Sequence, residues 1–556
     1  MKPKISLTLL LLVAFFSAQA QRLSKEATYE ISKKANRGYM YEPAIDETKN
    51  ELSLTFVTKA TSRTAKFETY NFDLNFNFKG MNESEVPMEK VKGYKADKGD
   101  QYEVEAVTVE QNLIGTLILK RKIYKYKWNW FWGGYDRKIS FGEKIKPKTE
   151  DGGKLSHVSH VEQPNGDIMI VAGNKGTGMG NVLSMTTEFH IVRFDHTLTQ
   201  LSDQVLKFDY PQIAVSASSD DEEEEDDENE NQKDLLIVFA PMEIKGAKKS
   251  SDPNATNYTF VRIGADGTVK ERVPFKSKTG VFNGDMIIES GNDIYILGAT
   301  GEKEDQYFNE KFAAPLGMRD DEIEKFKAKG FQVVKISNGK AVYASVTTLD
   351  DFENKAQSPA GQKKKPEYTG RKFKVATIKL MPNGDILLAG QKYTKPKNGG
   401  HTVKFGGFGS IGGGNGGGPT YGDIIMMHFG NDGNLKAAYG VRREENKKDA
   451  NVSPNNQMIW PGPDGKVYWC IMEMNGWREE KELGESKYKY LMYPSVAAVD
   501  ILNAKIGEFV QFGQGKTDYF VNNKYPIMTL RSNSEIFFLG ETKSGKTLWF
   551  GKMPLD

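Results

Sequence analysis

The sequence predicts an all-β fold, a closed ring of repeated strand–turn–strand units, and three observations predict it. A Gly/Asn/Asp turn, an apolar run of strand length and a small residue recur as one phrase. It reads Pro-Asn-Gly-Asp-Ile-Met-Ile-Val-Ala-Gly from Pro164 and Pro-Asn-Gly-Asp-Ile-Leu-Leu-Ala-Gly from Pro382, with looser copies at 291–298, 463–472 and 532–540. After a variable gap each phrase is followed by a second, alternating strand that ends in another tight turn. The composition, 38% hydrophobic and 11% aromatic with 27% charged, suits a folded chain with ample core. A repeated unit must bury its apolar face against its neighbours, so repetition decides architecture first. A single closed array absorbs 556 residues that would otherwise suggest several domains.

The first 20 residues read as a secretory signal peptide. Lys2 and Lys4 supply the positive start, residues 5–16 the apolar stretch and Ala18-Gln19-Ala20 the small-x-small cleavage site. The apolar run is shorter than the roughly 20 residues that span a bilayer, and no later stretch is long and apolar enough. The expectation is an exported chain with no transmembrane span, and with Gln21 in place of the cysteine that a lipid anchor needs. Cleavage lowers the net charge from +2 to zero, so no nucleic-acid partner is expected. Cys470 is the one cysteine, set in an apolar strand, and no intrachain disulfide is possible. An exported chain of this kind, with a signal ending Ala-Gln-Ala-Gln, resembles those of the Bacteroidota. The chain ends soon after its last strand with no separate sorting domain, which favours the periplasm over the cell exterior.

Residues 21–556 read as one domain. Segment 27–32 is a candidate closing strand for the last unit, which is truncated at the C-terminus. Two early units are divergent: 52–58 leads to 67–78, where Tyr70, Phe72, Leu74, Phe76 and Phe78 alternate with polar residues as one half-buried strand. Next, 104–109 leads to 113–120 and a ribbon at 122–132. The regular pairs follow: 168–173 with 189–195, 235–240 with 258–263, 294–298 with 331–336, 385–390 with 423–429, 467–472 with 495–502, and 536–540 with 547–551. Asn-Gly and Asp-Gly bends supply the positive φ that antiparallel hairpins need. Throughout its mature length the chain resembles the β-propeller superfamily, in which a ring of such units leaves only short, protected sheet edges. The resemblance implies about eight blades, or alternatively seven. Insertions fall at 216–232 (acidic), 302–330 (helical, with Arg319-Asp320-Asp321 before the apolar positions and Gly330 as the stop) and 395–422 (glycine-rich). All three are expected to project from a rim, where loops on rigid scaffolds bind partners.

No residue set reads as catalytic, metal-binding or cofactor-binding. Gly407-Phe408-Gly409-Ser410-Ile411-Gly412 matches GxGxxG, but its glycine-rich surroundings cannot supply the helix that receives a phosphate. The acidic run at 220–230 lacks the spacing of a calcium loop. His157 and His160 form an HxxH whose setting is extended, where a spacing of three points the rings to opposite faces. His190 and His428 read as ordinary strand residues. Ser544-Gly545-Lys546-Thr547-Leu548-Trp549 resembles the turn motif of sialidase-type propellers but lacks its aspartate and carries an extra residue. A glycosidase needs two carboxylates at a set separation, and 74 acidic residues offer no selected pair.

The candidate binding residues are Tyr124, Tyr126, Trp128, Trp130 and Trp132, which strand alternation places on one face with Lys125, Lys127 and Asn129 on the other. Such a face either packs between blades or is presented to a partner or a sugar. Arg121, Lys122, Arg137 and Lys138 form a basic margin suited to anionic glycan or lipid headgroups. The functional expectation is a non-catalytic interaction module for a protein or envelope component. A carbohydrate-active or other hydrolytic propeller, and an accessory subunit of an outer-membrane complex, are the alternatives.

Overall fold

The glycine of the recurring phrase takes positive φ (Gly166 +84°, Gly384 +83°), which reverses the chain and sends the apolar run back antiparallel to the strand before it. In a computed structural model this hairpin is repeated around the chain. The structure describes residues 21–555 except 62, 92–98, 112–115, 130–133, 150–151, 175–185, 220–231, 243–251, 305–306, 309–327, 360–361, 363, 371–372, 395–419, 443–456, 464, 483–484, 523 and 531–534.

After β1 (Lys25–Glu30) and the short helix α1 (Lys33–Arg37), the first sheet holds β2 (Tyr39–Asp46), β3 (Glu51–Ala60), β4 (Thr64–Phe72) and β5 (Phe78–Pro87) in that order. The second holds β6 (Gln101–Gln111), β7 (Leu117–Asn129) and β8 (Gly134–Ile145). The third has seven strands in chain order: β9 (Leu155–Glu162), β10 (Ile168–Asn174), β11 (Thr186–Phe194), β12 (Gln200–Ser219), β13 (Leu235–Pro241), β14 (Tyr258–Ile263) and β15 (Val269–Phe275). The fourth is β16 (Phe282–Ser290), β17 (Asp293–Thr300), β18 (Gly330–Ser337) and β19 (Lys340–Thr348). After helix α2 (Leu349–Asn354) and β20 (Ala356–Gln357) comes a fifth sheet of β21 (Phe373–Leu380), β22 (Ile386–Thr394), β23 (Thr420–Phe429) and β24 (Leu435–Val441), with β20 parallel to β24. The sixth comprises β25 (Gln457–Pro461), β26 (Lys466–Glu482) and β27 (Glu485–Asp500), edged by β28 (Lys505–Ile506) and β29 (Val510–Gln511). The last holds β30 (Tyr519–Phe520), β31 (Met528–Thr529), β32 (Glu535–Thr542) and β33 (Thr547–Pro554).

The seven-stranded sheet is double. The first half of β12 pairs with β11 and the second half with β13, on either side of Pro211. Apolar clusters fill the space between successive units, and one of them joins the last unit to the first: Leu539, Leu548 and Phe550 pack with Leu54, Phe56 and Phe72. The ring is closed by hydrogen bonds as well, because β1 pairs with β33 from Lys25↔Lys552 to Glu30↔Thr547. Trp549 Nε1 donates to Glu26 Oε1 at 2.6 Å. The closing strand expected at 27–32 thus runs at Lys25–Glu30, and Ser32 caps α1 instead. Initial strands lie against one another: β6 on β9, β9 on β12, β12 on β16, and β21 on β25. They form the inner wall of a β-propeller.

The phrase also carries an acid–base clamp. Its acid is Asp167, Asp234, Asp293, Asp385 or Glu535, and a base stands on the next strand opposite the residue two further on. The pairs are Arg193 at 3.7 Å, Arg262 at 3.9 Å, Lys335 at 2.7 Å, His428 at 2.9 Å and Lys552 at 2.8 Å. A β-bulge also marks the inner strand of several units. It recurs at Met40/Glu42, between the partners of Val171/Ala172, at Ala214/Ser216, at Asn283/Met286 and at Val375/Thr377. Bulges bend a strand and re-aim its side chains.

Four readings change. The single strand expected at 67–78 is two, because Asp73 accepts from the Asn75 and Asn77 backbone N–H groups and Phe76, at φ 65°, turns its ring into the core. Conversely, 113–120 and 122–132 are not separate strands, since β7 runs unbroken from Leu117 to Asn129. The acidic insertion begins after Ser219 rather than at 216, and the glycine-rich one ends before Thr420. Segment 302–330 does not simply project: Phe308 bridges to Met242 and is buried in the core. The helix expected at 319–327 lies outside the described residues. The sequence reading missed α2, whose Thr348/Asp351 capping box starts it.

Candidate functional site

The pleat of the β6–β8 sheet gathers its aromatic residues on one face. Tyr126 stands opposite Tyr102 and Arg137, Tyr124 opposite Val104 and Ile139, Lys122 opposite Ala106 and Phe141, and Trp128 opposite Tyr135. Tyr102 stacks on Tyr126 with centroids 4.7 Å apart, and Trp128 meets Tyr135 edge-on at 4.9 Å. Two cations share the Tyr124 ring, with Lys122 Nζ at 4.1 Å and the Arg137 guanidinium at 5.2 Å. Burial lowers the Lys122 pKa and the like charge of Arg137 adds to this, against the pull of Glu162.

This face divides in two. Trp128, 1% exposed, packs among Val57, Ala65, Phe67, Met88 and Val91 of the first unit, so it is filler between units. Tyr124 is buried and Tyr126 half-buried. Beside them Val104 is 43%, Ile139 42% and Phe141 57% exposed. Trp130 and Trp132 lie outside the described residues. Sequence reasoning named the β7 residues but not Val104, Ile139 and Phe141, whose alternation on β6 and β8 was the available signal.

On the inner wall, the bulge opposite Val171/Ala172 corrects the reading of the HxxH. An inserted residue shifts the alternation, so His157 and His160 share a face and His157 Nε2 lies 3.0 Å from His160 Nδ1. Burial, with the neighbouring ring's charge, lowers His157 to about 4. Burial and Lys122 lower His160. Asp285 sits in the corresponding bulge of β16, and its Oδ1 lies over Gly298. Its side chain is exposed, so contact with water limits the push that its crowded surroundings give the carboxyl toward about 7. Among the described residues no cation is paired with it.

The other histidine clusters are closed to ligands. His428, 0% exposed, donates from Nε2 to Asp385 at 2.9 Å and accepts at Nδ1 from the Tyr439 hydroxyl at 3.2 Å. Burial works against ionisation of Asp385, but hydrogen bonds from Lys436 and His428 hold its carboxyl below the usual range. His190 is fixed by Asp203 at 3.0 Å. Burial pushes the Cys470 thiol up, away from the reactive thiolate. Among the described residues no three His, Cys, Asp or Glu side chains gather in a way that could hold a metal ion.

Fold and site together define a β-propeller with an uncovered aromatic–cationic face. No family model matches the sequence, and no curated protein does. Among solved structures, the WD40 domain of SCAP from fission yeast is 7% identical, with 95% of this chain and 98% of that one covered and a TM-score of 0.21. A lignostilbene dioxygenase from Pseudomonas brassicacearum is 10% identical, with coverage of 89% and 90% and a TM-score of 0.25. An apocarotenoid oxygenase variant from Synechocystis is 10% identical, with coverage of 79% and 87% and a TM-score of 0.27. Superpositions this loose carry no argument about chemistry.

Proposed function

We propose that the chain is an exported, non-catalytic propeller of eight blades that binds an envelope component through the β6–β8 face. One observation carries this reading: Val104, Ile139 and Phe141 stand uncovered beside Lys122 and Arg137, while apolar clusters fill the spaces between units. Export rests on residues 1–20 as a cleaved signal peptide, with the periplasm as destination. Cleavage after Ala20 leaves β1 intact to close the ring.

In-cell cross-linking tests the reading. The wild-type chain is expected to capture one partner repeatedly, and Ile139→Ser with Phe141→Ser to abolish capture without changing the melting temperature. Normal capture by a folded double variant would remove this face as the contact. The hydrolytic alternative retains one specific observation. Asp285 stands exposed on the inner wall with its carboxyl pushed upward, where it could serve as a general acid, and His157 and His160 lie on another inner strand.

A further inference from the structure

On the β6–β8 sheet three cations have acids close by. Lys120 pairs with Glu110 at 2.7 Å and Lys125 with Glu103 at 2.7 Å, and Arg121 donates to Glu105 at 2.8 Å. Lys122 and Arg137 are different. Both press on the one Tyr124 ring, and Lys122, whose charge is offset in part by Glu162, forms no close ion pair among the described residues. Like charges held side by side are costly, and an oxyanion between them would relieve that cost with charge-assisted hydrogen bonds. On the adjoining inner strand His160 feels the charge of Lys122, and Glu162 of that strand offsets part of it. The stacked Tyr102–Tyr126 pair and the side chains of Val104, Ile139 and Phe141 continue the same surface.

We infer that this face binds an anionic glycan, with Lys122 and Arg137 clamping a carboxylate, sulfate or phosphate group and the tyrosine rings and exposed apolar side chains supporting the sugar rings. The inference rests on the proposed binding role of the same face and names its ligand class. Size favours a glycan over a protein. Three strands about 4.8 Å apart and a run of about 20 Å along β8 give roughly 200 Å². A stable protein interface takes about 800 Å² from each partner. A purely apolar partner would also have to bury the charges of Lys122 and Arg137, of which Glu162 offsets only part. A glycan chain one residue wide fits the strip and supplies the charge.

The test uses the full mature chain and calorimetric titration with a heparin hexasaccharide, a polygalacturonate oligomer, neutral dextran and phosphatidylglycerol vesicles. Binding to at least one charged glycan is expected, weakening with salt, with none to dextran. Lys122→Gln with Arg137→Gln should lower the affinity at least tenfold, while Lys122→Arg should restore most of it. Lys125→Gln, on the opposite face of β7, should leave the affinity unchanged. The melting temperature of each variant confirms that it folds. The inference is overturned if neither charged glycan binds, if the double variant binds as tightly as wild type, if Lys125→Gln weakens binding equally, or if only vesicles bind. If cross-linked capture in cells still depends on Ile139 and Phe141 after such a result, the ligand class falls and the binding role stands.

Discussion

At the scale of single residues, environment rather than residue type decides what each ionisable group does. Asp285 and Asp385 are the same side chain on neighbouring units, one raised to about 7 by the protein around it and the other held low by Lys436 and His428. Because Asp285 titrates from 3.8 when unfolded to about 7 when folded, the folded chain keeps a proton that the unfolded chain has lost between those values. Its contribution to stability therefore falls as pH rises through that window. His157 acts at the other end: with its value lowered from 6.5 to about 4, stability is lost as pH falls below 6.5. Asp285→Asn should raise the melting temperature at pH 8 by on the order of 1–2 °C and leave it unchanged at pH 3.5. An equal change at both pH values would contradict the assignment. The hydrolytic alternative adds a second readout for this variant, since loss of any hydrolase activity would revive it.

At the scale of elements, the recurring phrase is a ruler. Its glycine makes the turn, its acid fastens the next strand, and in several units the inner strand bulges nearby. The strand pairings of the regular units were legible because alternation and Asn-Gly or Asp-Gly turns are local. The bulge was not, since an inserted residue shows only in the register between two strands, and so the two histidines were assigned to opposite faces. Phe76 misled for a related reason: its alternation is real, but a side-chain cap from Asp73 overrides strand continuity. For the aromatic ribbon, composition could not separate packing from presentation, and the neighbouring unit decides. Trp128→Ala should destabilise the chain by about 3–5 kcal/mol in denaturant unfolding, as loss of a buried aromatic does. A change below 1 kcal/mol would mean that the Val57–Phe67 contact is not a packed interface.

At the scale of the whole molecule, closure is the main device. β1 supplies the strand that the C-terminal unit lacks, and the cluster joining Phe72, Leu539 and Phe550 seals the seam. Deleting residues 21–31 should therefore lower the melting temperature sharply and broaden the transition. A permutant that begins at residue 33 and carries β1 after Leu555 should melt close to the wild type, because pairing rather than chain order closes the ring. Failure of that permutant while a ring opened elsewhere melts normally would refute closure by β1.

By itself the sequence determined the all-β class, the repeat, its turns, the strands paired within most units and the need for a closing N-terminal strand. Each of these follows from local periodicity and turn chemistry, which a chain carries in neighbouring residues. The tertiary structure alone decided that Trp128 is core while Val104, Ile139 and Phe141 are uncovered, that His157 meets His160, and that Lys122 and Arg137 share one ring. Those relations join residues on different strands and units, and only register, bulges and packing bring them together.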